Sequence, residues 1–237
     1  MRDVDFFRYK YAPTTTHMVF FDASPIEVAD LIYSHRLDLL SRTDRKGEVQ
    51  IENVDGPLES KLRKLLPLTN AENRMLVSGT KSNWALYLSN GIPGTDTGSL
   101  PRYLTRTLKV RSIAIVMVVD GPDSLGSMQF SYRNGTALVN LGTPEAPYYD
   151  FPTRSVAAHR ESKWEFREHG EPLPFEEFGS YRERRIKDRL TPEMIERYCG
   201  YLGISLFDLS FYDGVGRLID FAAPQGTVEV SSFPNSP

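Results

Sequence analysis

Both tryptophans of this 237-residue chain begin the same local pattern, in which large apolar side chains fall on alternate residues. Trp84 precedes Leu86 and Leu88 in this way, and Trp164 precedes Phe166. Alternate residues of a strand point to the same face of a sheet. The spacing therefore predicts that each tryptophan lies on a strand and packs in the core.

The segments that follow the two tryptophans share one order. A loop, a helical spacing and an apolar, strand-like run occupy residues 84–119 and again residues 164–212. This order predicts an α+β fold with a mixed, largely antiparallel sheet and packed helices. Two quasi-repeated units that share a sheet would fit the order, and so would one mixed sheet without a repeat.

The same spacing rules locate the individual elements. Helical spacing occurs at residues 58–66 and 101–108. The dipeptide Asn134-Gly135 tolerates the positive φ angles of a tight turn and predicts a hairpin between residues 128–132 and 137–141. Residues 74–78 and 84–88 are predicted to pair as antiparallel strands across a turn at residues 79–81, and residues 156–159 and 164–168 are a candidate further pair. Strand patterns occupy residues 4–11, 17–21, 49–51, 74–78, 84–88, 113–119, 128–132, 137–141, 156–159, 164–168 and 205–212.

Two helices carry start signals. Ser24 and Glu27 form a capping box around Pro25, whose missing N–H costs nothing in the first turn. Thr191 and Pro192 begin a second helix, which Gly203 ends. The buried stripe of the first helix is predicted to comprise Ile26, Ala29, Ile32 and Tyr33.

The domain prediction is a single globular domain over residues 1–222, with halves 1–150 and 151–222 as the alternative. Residues 223–237 are poor in large apolar side chains and are expected to be a poorly ordered tail.

Composition indicates an ordinary globular protein, because 40% of the residues are hydrophobic and 25% are charged. No apolar run of about 18 residues occurs, and the amino terminus lacks a basic-then-apolar pattern, so we expect neither membrane insertion nor export. Cys199 is the only cysteine, which excludes an internal disulfide and a cysteine-based zinc site. A cytoplasmic location is the expectation.

Charge argues against general nucleic-acid binding, since the chain carries a net charge of −3 and phosphate contacts need a basic surface. Residues 182–189 are rich in arginine, but the interspersed acids favour an exposed or internally paired segment. The clearest electrostatic feature is an acidic stretch over residues 161–178, whose six carboxylates are Glu161, Glu165, Glu168, Glu171, Glu176 and Glu177.

The sequence offers little chemistry that can be read locally. Neither G-x-S-x-G nor the phosphate-binding G-x-x-x-x-G-K-[ST] occurs, and the histidines lack metal-ligand spacing. We therefore predict no catalytic residue, no metal and no cofactor, and Cys199 is expected to be core packing. The loop at Gly94, Thr95 and Asp96 is the ligand candidate, although such loops also simply turn the chain.

Three segments together resemble a known class of bacterial proteins: residues 82–96 with the Trp84 strand and Gly94-Thr95-Asp96, residues 163–176 with Lys163-Trp164-Glu165-Phe166, and residues 185–204 with Leu190-Thr191-Pro192-Glu193. The combination resembles immunity proteins of contact-delivered or secreted polymorphic toxins, over residues 80–205. The resemblance implies a small, cytoplasmic, non-enzymatic protein that neutralises a cognate protein toxin by binding it. The leading hypothesis is therefore an antitoxin that occludes the active site or the substrate groove of the toxin, and we expect no nucleic-acid or membrane partner.

Under that hypothesis the acidic stretch steers a basic partner, and the partner-binding residues are Glu165, Glu168, Glu171, Glu176 and Glu177. The alternative is a hydrolase or transferase whose site assembles around Gly94–Asp96 with His159 or His169. A structural or scaffolding module is the third hypothesis.

Overall fold

A computed structural model describes residues 5–42, 47–122, 124–140, 143–146, 149–222 and 226–234. The chain divides into two compact units. Unit 1 comprises Met1–Asp96 and Phe207–Pro237, and unit 2 comprises Thr97–Leu206. The division therefore differs from the halves 1–150 and 151–222, because a carboxyl-terminal segment returns to the sheet of unit 1.

The fold is α+β, as the sequence predicts. The helices among the described residues are α1 (Pro25–Ser41), α2 (Leu58–Arg63), α3 (Ser99–Leu108) and α4 (Pro192–Tyr201). The strands of the same residues are β1 (His17–Asp22), β2 (Val49–Val54), β3 (Leu68–Thr69), β4 (Arg74–Gly79), β5 (Trp84–Ser89), β6 (Arg111–Val118), β7 (Ser127–Asn134), β8 (Val139–Asn140), β9 (Tyr149–Asp150), β10 (Thr153–Arg160), β11 (Trp164–His169), β12 (Gly216–Phe221) and β13 (Glu229–Val230).

Unit 1 contains an antiparallel sheet in the order β1-β5-β4-β12-β2. The predicted antiparallel pair of β4 and β5 is confirmed, with Val77 opposite Tyr87. Every residue of β5 is buried, so both of its faces lie in the core. Trp84 is 4% exposed and is a core residue, as its spacing predicts.

The two faces of this sheet are covered by different elements. Helix α1 contacts β2, β4, β5 and β12 on one face. On the other face, the ring of Phe20 lies 6.4 Å from that of Tyr212. Lys61 of α2 is fully buried there and donates hydrogen bonds to Ser78 Oγ and to the carbonyl oxygens of Tyr212 and Gly214. Burial lowers the pKa of Lys61, and these three acceptors compensate for its lost hydration.

The start of α1 is the one predicted. Ser24 Oγ accepts from the Glu27 N–H at 3.2 Å, and the Glu27 carboxylate accepts from the Ser24 N–H at 3.1 Å. The buried stripe differs from the prediction, because Ile26 is exposed and Tyr33 is half-buried. The buried residues are Val28, Ala29 and Ile32.

Unit 2 contains an antiparallel sheet in the order β11-β10-β7-β6. Strand β10 alternates between buried and half-buried residues over most of its length, and β7 does so over its first four residues, so one face is core and the other is open. Helix α4 covers the core face, where the rings of Phe130 and Tyr198 are 5.5 Å apart. Trp164 lies on β11 as predicted, but it is only half-buried, with its ring packed against Gly126.

Two of the strand predictions are wrong because short apolar runs do not distinguish a strand from a helix. Among the described residues of 4–11, Phe6–Lys10 forms a π-helical turn, and Phe7 and Tyr11 share the spacing of a helical turn. Residues 205–212 end in a 3-10 helix at Leu209–Tyr212. The second tryptophan segment therefore lacks the strand that would make it a repeat of the first.

The predicted hairpin at Asn134-Gly135 is also wrong. Strand β7 pairs with β6 and β10, and Val139–Asn140 pairs instead with β9. Gly135 has no positive φ; it is needed because a Cβ there would collide with the carbonyl oxygens of Thr105 and Val110. Leu141, the last residue of the predicted second strand, lies outside the described residues.

The predicted tail at residues 223–237 includes ordered contacts where the structure describes it. Glu229–Val230 pairs with β3, and Phe233 is buried with its ring 5.0 Å from that of Tyr11. Residues 223–225 and 235–237 lie outside the described part of the chain.

Candidate functional site

The acidic stretch folds along β11 and the loop after it, and arginines pair with most of its carboxylates. Glu165 accepts from Arg167 at 2.7 Å, and Glu168 accepts from Arg154 at 2.8 Å. Glu171 is exposed in the loop. The stretch therefore presents much less unpaired negative charge than its sequence suggests.

Glu176 differs from the other predicted partner-binding residues because it is buried. Its carboxylate accepts from Arg154 Nε at 2.9 Å and Nη2 at 2.7 Å, from Tyr181 OH at 2.9 Å and from the Leu173 N–H at 2.9 Å. Tyr181 OH also lies 3.0 Å from Tyr198 OH. Glu176 holds the loop onto the sheet and cannot itself contact a partner.

This buried network fixes an exposed aromatic surface. Glu177 donates its N–H to Tyr198 OH at 2.9 Å, and its carboxylate binds Arg197 of α4 at 2.6 and 2.9 Å. Tyr201 is 72% exposed and stacks on Phe175, with ring centroids 5.4 Å apart and an interplanar angle of 12°. Phe178, three residues after Phe175 in the same loop, is 45% exposed, and its ring lies 5.9 Å from that of Tyr181. We name Phe175, Glu177, Phe178, Arg197 and Tyr201 the aromatic surface.

Net charge is divided unevenly between the two units. Unit 2 carries 15 Lys and Arg against 14 Asp and Glu, a net charge of +1. Unit 1 carries 13 against 17, a net charge of −4. The negative excess of the chain is therefore a property of unit 1, although the densest acidic run lies in unit 2.

The candidate ligand loop in unit 1 is held by its own side chains. Gly94 has a φ of 105° and packs against the ring of His17, where no Cβ would fit. Thr95 is buried, donates to the Thr14 carbonyl at 3.0 Å and accepts from the Ser89 N–H at 3.0 Å. Gly94 and Thr95 shape the loop, which leaves Asp96 as the residue with available chemistry.

Asp96 belongs to a polar cluster that also contains Glu72, Arg36, Tyr87 and Ser89. Burial and the neighbouring Asp96 carboxylate raise the pKa of Glu72 to about 7. Glu72 has a φ of 41°, a conformation that costs free energy for a residue with a side chain. Its carboxylate packs against Gly91, where a Cβ would lie 2.7 Å from Oε1. A carboxyl that titrates near neutral pH can donate or accept a proton there.

Three polar atoms of this cluster are buried without a hydrogen-bond partner of good geometry among the described residues: Arg36 Nε, Tyr87 OH and Ser89 Oγ. The Arg36 guanidinium lies over the Phe221 ring at 4.8 Å, and burial lowers its pKa. Burial likewise raises the pKa of Tyr87. Buried polar atoms without partners are uncommon, so the cluster is a second candidate site.

The other residues of the enzyme hypothesis belong to unit 2. His159 and His169 lie on β10 and β11, on the open face of that sheet, and line a cavity of about 480 Å³ with Gln129, Ser155 and Arg167. His159 Nε2 lies 3.7 Å from Glu161. Gly94–Asp96 belongs to unit 1.

Cys199 and the arginine-rich segment, for which the sequence predicts no binding or catalytic role, make structural contacts. Cys199 is buried in α4, and burial raises the pKa of its thiol, in agreement with core packing. In the arginine-rich segment, Arg185 pairs with Asp188 at 3.3 Å, and Arg189 lies over the Phe166 ring at 5.5 Å. No three His, Cys, Asp or Glu side chains converge on a possible metal position within the described residues.

Among the same residues, no helix combines the length and the apolar character that crossing a membrane requires.

Sequence reasoning missed the aromatic surface and the Glu72 cluster for different reasons. Phe178 and Tyr201 are scattered aromatic residues whose exposure no local pattern reveals. Arg36 lies on α1 and Glu72 lies in the turn before β4, so the two side chains come close to Asp96 only when these elements pack in the folded chain. In the sequence, a single Glu in a turn gives no indication of a raised pKa.

Comparison of the chain with protein-family models, with curated proteins and with solved structures finds no match.

Proposed function

We propose that this chain is an immunity protein that binds a cognate bacterial toxin and occludes its active site. The aromatic surface is the observation that carries the proposal, together with the sequence resemblance. Tyr, Phe and Arg are residue types that dominate the energetics of protein interfaces, because large rings bury much area and lose little side-chain entropy. Tyr201 and Phe178 expose such rings to solvent.

The surface is also well ordered for binding. Phe175 supports Tyr201 by stacking, and the bidentate ion pair of Arg197 with Glu177 fixes the loop to α4. A surface that is already in its bound geometry avoids part of the entropic cost of association. Electrostatic steering of a basic partner by the acidic stretch therefore depends on Glu171 and on those parts of the arginine-paired glutamates that remain exposed to solvent.

The test is neutralisation of a toxin encoded beside the gene for this chain. Co-expression is expected to restore growth of cells that produce the toxin, and the purified proteins should elute together on size-exclusion chromatography. Tyr201→Ala should weaken the measured Kd about thirtyfold, since truncation of an interface anchor costs at least about 2 kcal/mol. A folded wild-type chain that neither binds nor protects would refute the proposal.

Tyr103→Ala is the matched control. Tyr103 is an exposed tyrosine of unit 2 on α3, so its truncation removes a similar ring outside the aromatic surface. The control should keep wild-type affinity. An equal loss in both variants would point to a general effect of ring removal.

A second candidate function is a hydrolase or transferase at the Glu72 cluster, and the raised pKa of Glu72 favours it. A carboxyl with a pKa near 7 suits general acid–base catalysis at neutral pH. The test is turnover of p-nitrophenyl acetate and p-nitrophenyl phosphate by the wild type and by Glu72→Gln. Turnover that persists unchanged in Glu72→Gln would exclude Glu72 as the acid or base.

A further inference from the structure

The outer edge of β2 in unit 1 carries backbone groups that no described strand pairs. The described strands of this sheet end at β2, whose six residues all lie in register with β12 on the inner side. In an antiparallel ladder, every second residue directs its N–H and C=O groups away from the partner strand. The outer side of β2 therefore presents the donors and acceptors to which a further strand can be added.

A cavity of about 470 Å³ follows this edge. Five consecutive residues, 48–52, line the cavity, together with Tyr33 of α1 and with Leu218 and Asp220 of β12. Successive residues of a strand point to opposite faces of the sheet, so a space that touches five residues in a row runs along the backbone. The cavity therefore has the position and the direction of an extended chain beside β2. We name it the edge groove.

Charge selects the occupant of the edge groove. Among the described residues, its lining contains no lysine or arginine but has three carboxylates, those of Glu48, Glu52 and Asp220. Arg74 binds Asp220 at 2.9 Å, and Arg217 adjoins the lining in sequence. These five side chains carry a net charge of −1, and all the residues of unit 1 together carry −4. Basic partners are attracted to such a surface.

The same carboxylates disfavour a second copy of the chain as the occupant. Two β2 edges paired antiparallel about Gln50 would place Glu48 of each copy opposite Glu52 of the other. Like charges that face each other on paired strands are destabilising, and charged side chains commonly protect a sheet edge from self-association in this way. A strand with basic side chains would instead form favourable cross-strand pairs.

We infer that the edge groove binds an extended segment of a partner protein, which carries lysine or arginine at alternate positions and joins the sheet as a strand beside β2. Alternate positions fit because Glu48 and Glu52 are an even number of residues apart, and basic side chains on one face of the added strand can reach both. The inference goes beyond the proposed function, since it does not involve the aromatic surface and the segment need not belong to the toxin.

Synthetic peptides test the inference with the full chain. A ten-residue peptide that alternates Val and Lys is expected to bind, as measured by fluorescence anisotropy, and one that alternates Val and Glu is not. Methylation of every backbone nitrogen of the basic peptide keeps its charge but removes its main-chain donors, so the Kd should weaken at least about tenfold. Equal binding of the methylated peptide would overturn strand addition, and equal binding of the acidic peptide would overturn the charge assignment.

Glu52→Lys should weaken the Kd for the basic peptide about tenfold, because it reverses one of the two carboxylates that no described arginine binds in the groove. Glu183→Lys is the matched control, since Glu183 is an exposed glutamate of unit 2 and the variant has the same net charge. The control should keep the wild-type Kd. An equal loss in both variants would show that only the overall charge attracts the peptide, and would overturn the site.

Hydrogen exchange locates the bound peptide. Binding should slow the exchange of backbone amides in residues 49–54, because an added strand accepts hydrogen bonds from them. Absence of binding, or binding without protection of this segment, would overturn the inference. Sedimentation of the free chain should show a monomer, and a dimer that Glu52→Lys changes would assign the edge to a second copy instead. These measurements do not use the toxin, so their failure would leave the proposed immunity function standing.

Discussion

Glutamates of one acidic run differ widely in what their carboxylates contact. Glu176 is buried and receives hydrogen bonds from Arg154, Tyr181 and Leu173, whereas Glu165 lies on the open sheet face and pairs with Arg167. An ion pair in water contributes little, but a buried charge that loses its partner is costly. The same residue type therefore has a structural role at one position and a surface role at the other.

Glu176→Gln should destabilise the chain by about 3 kcal/mol, because it leaves the buried Arg154 guanidinium without its principal counter-charge. Glu165→Gln should change the free energy of unfolding by less than about 0.5 kcal/mol. Urea denaturation of the two variants and the wild type measures both effects. Similar midpoints for the two variants would contradict the burial of Glu176.

Glu72 gives the stability of the chain a pH dependence near neutrality. Its folded pKa of about 7 lies above the unfolded value of 4.5, so the folded state binds a proton more tightly. The resulting stabilisation is complete below about pH 4.5 and is lost as the pH rises through 7. Glu72 is partly exposed, so the loss is on the order of 1–2 kcal/mol after solvent screening.

Glu72→Gln removes the titrating group and should remove this part of the slope. Relative to the wild type, the variant should gain stability between pH 5 and pH 8, as measured by urea denaturation across that range. Parallel stability curves for the two proteins would show that Glu72 titrates normally.

At the scale of elements, the sequence predicts what is decided locally. The capping box of α1, the Thr191 cap of α4 and the strand pairs β4–β5 and β10–β11 follow from short-range spacing, and the structure confirms them. The turn prediction for Gly135 is wrong because this residue is needed where its backbone closely approaches the backbone of α3 and of Val110, and both lie far from it in sequence. Asn-Gly favours a tight turn only where the following residues can pair back, and β10 occupies that position instead.

Gly135→Ala tests this explanation. The added Cβ would collide with the carbonyl oxygens of Thr105 and Val110, which belong to the backbone and cannot rotate away. Overpacking of this kind costs about 1–3 kcal/mol. Thermal unfolding measures the loss. A Tm within about one degree of the wild type would show that the backbone contact is not tight.

At the scale of the whole molecule, each unit contains one tryptophan, and the two differ in burial although their sequence patterns are alike. Trp84 lies on a strand buried on both faces, while Trp164 lies on the edge strand of the unit 2 sheet. Alternation identifies a strand but does not say whether the strand is central. That position depends on which distant strands pair beside it, and the sequence pattern holds no information about them.

The two tryptophans therefore report separately on the two units. Trp164→Phe leaves Trp84, whose buried indole should emit at shorter wavelength and resist quenching by acrylamide. Trp84→Phe leaves the half-buried Trp164, which should emit at longer wavelength and be quenched more readily. Both changes keep an aromatic ring at the site, so the fold is retained. Fluorescence spectra of the two variants measure the difference. Equal emission and equal quenching would mean that the two indoles are equally buried, and would contradict the central position of β5 in its sheet.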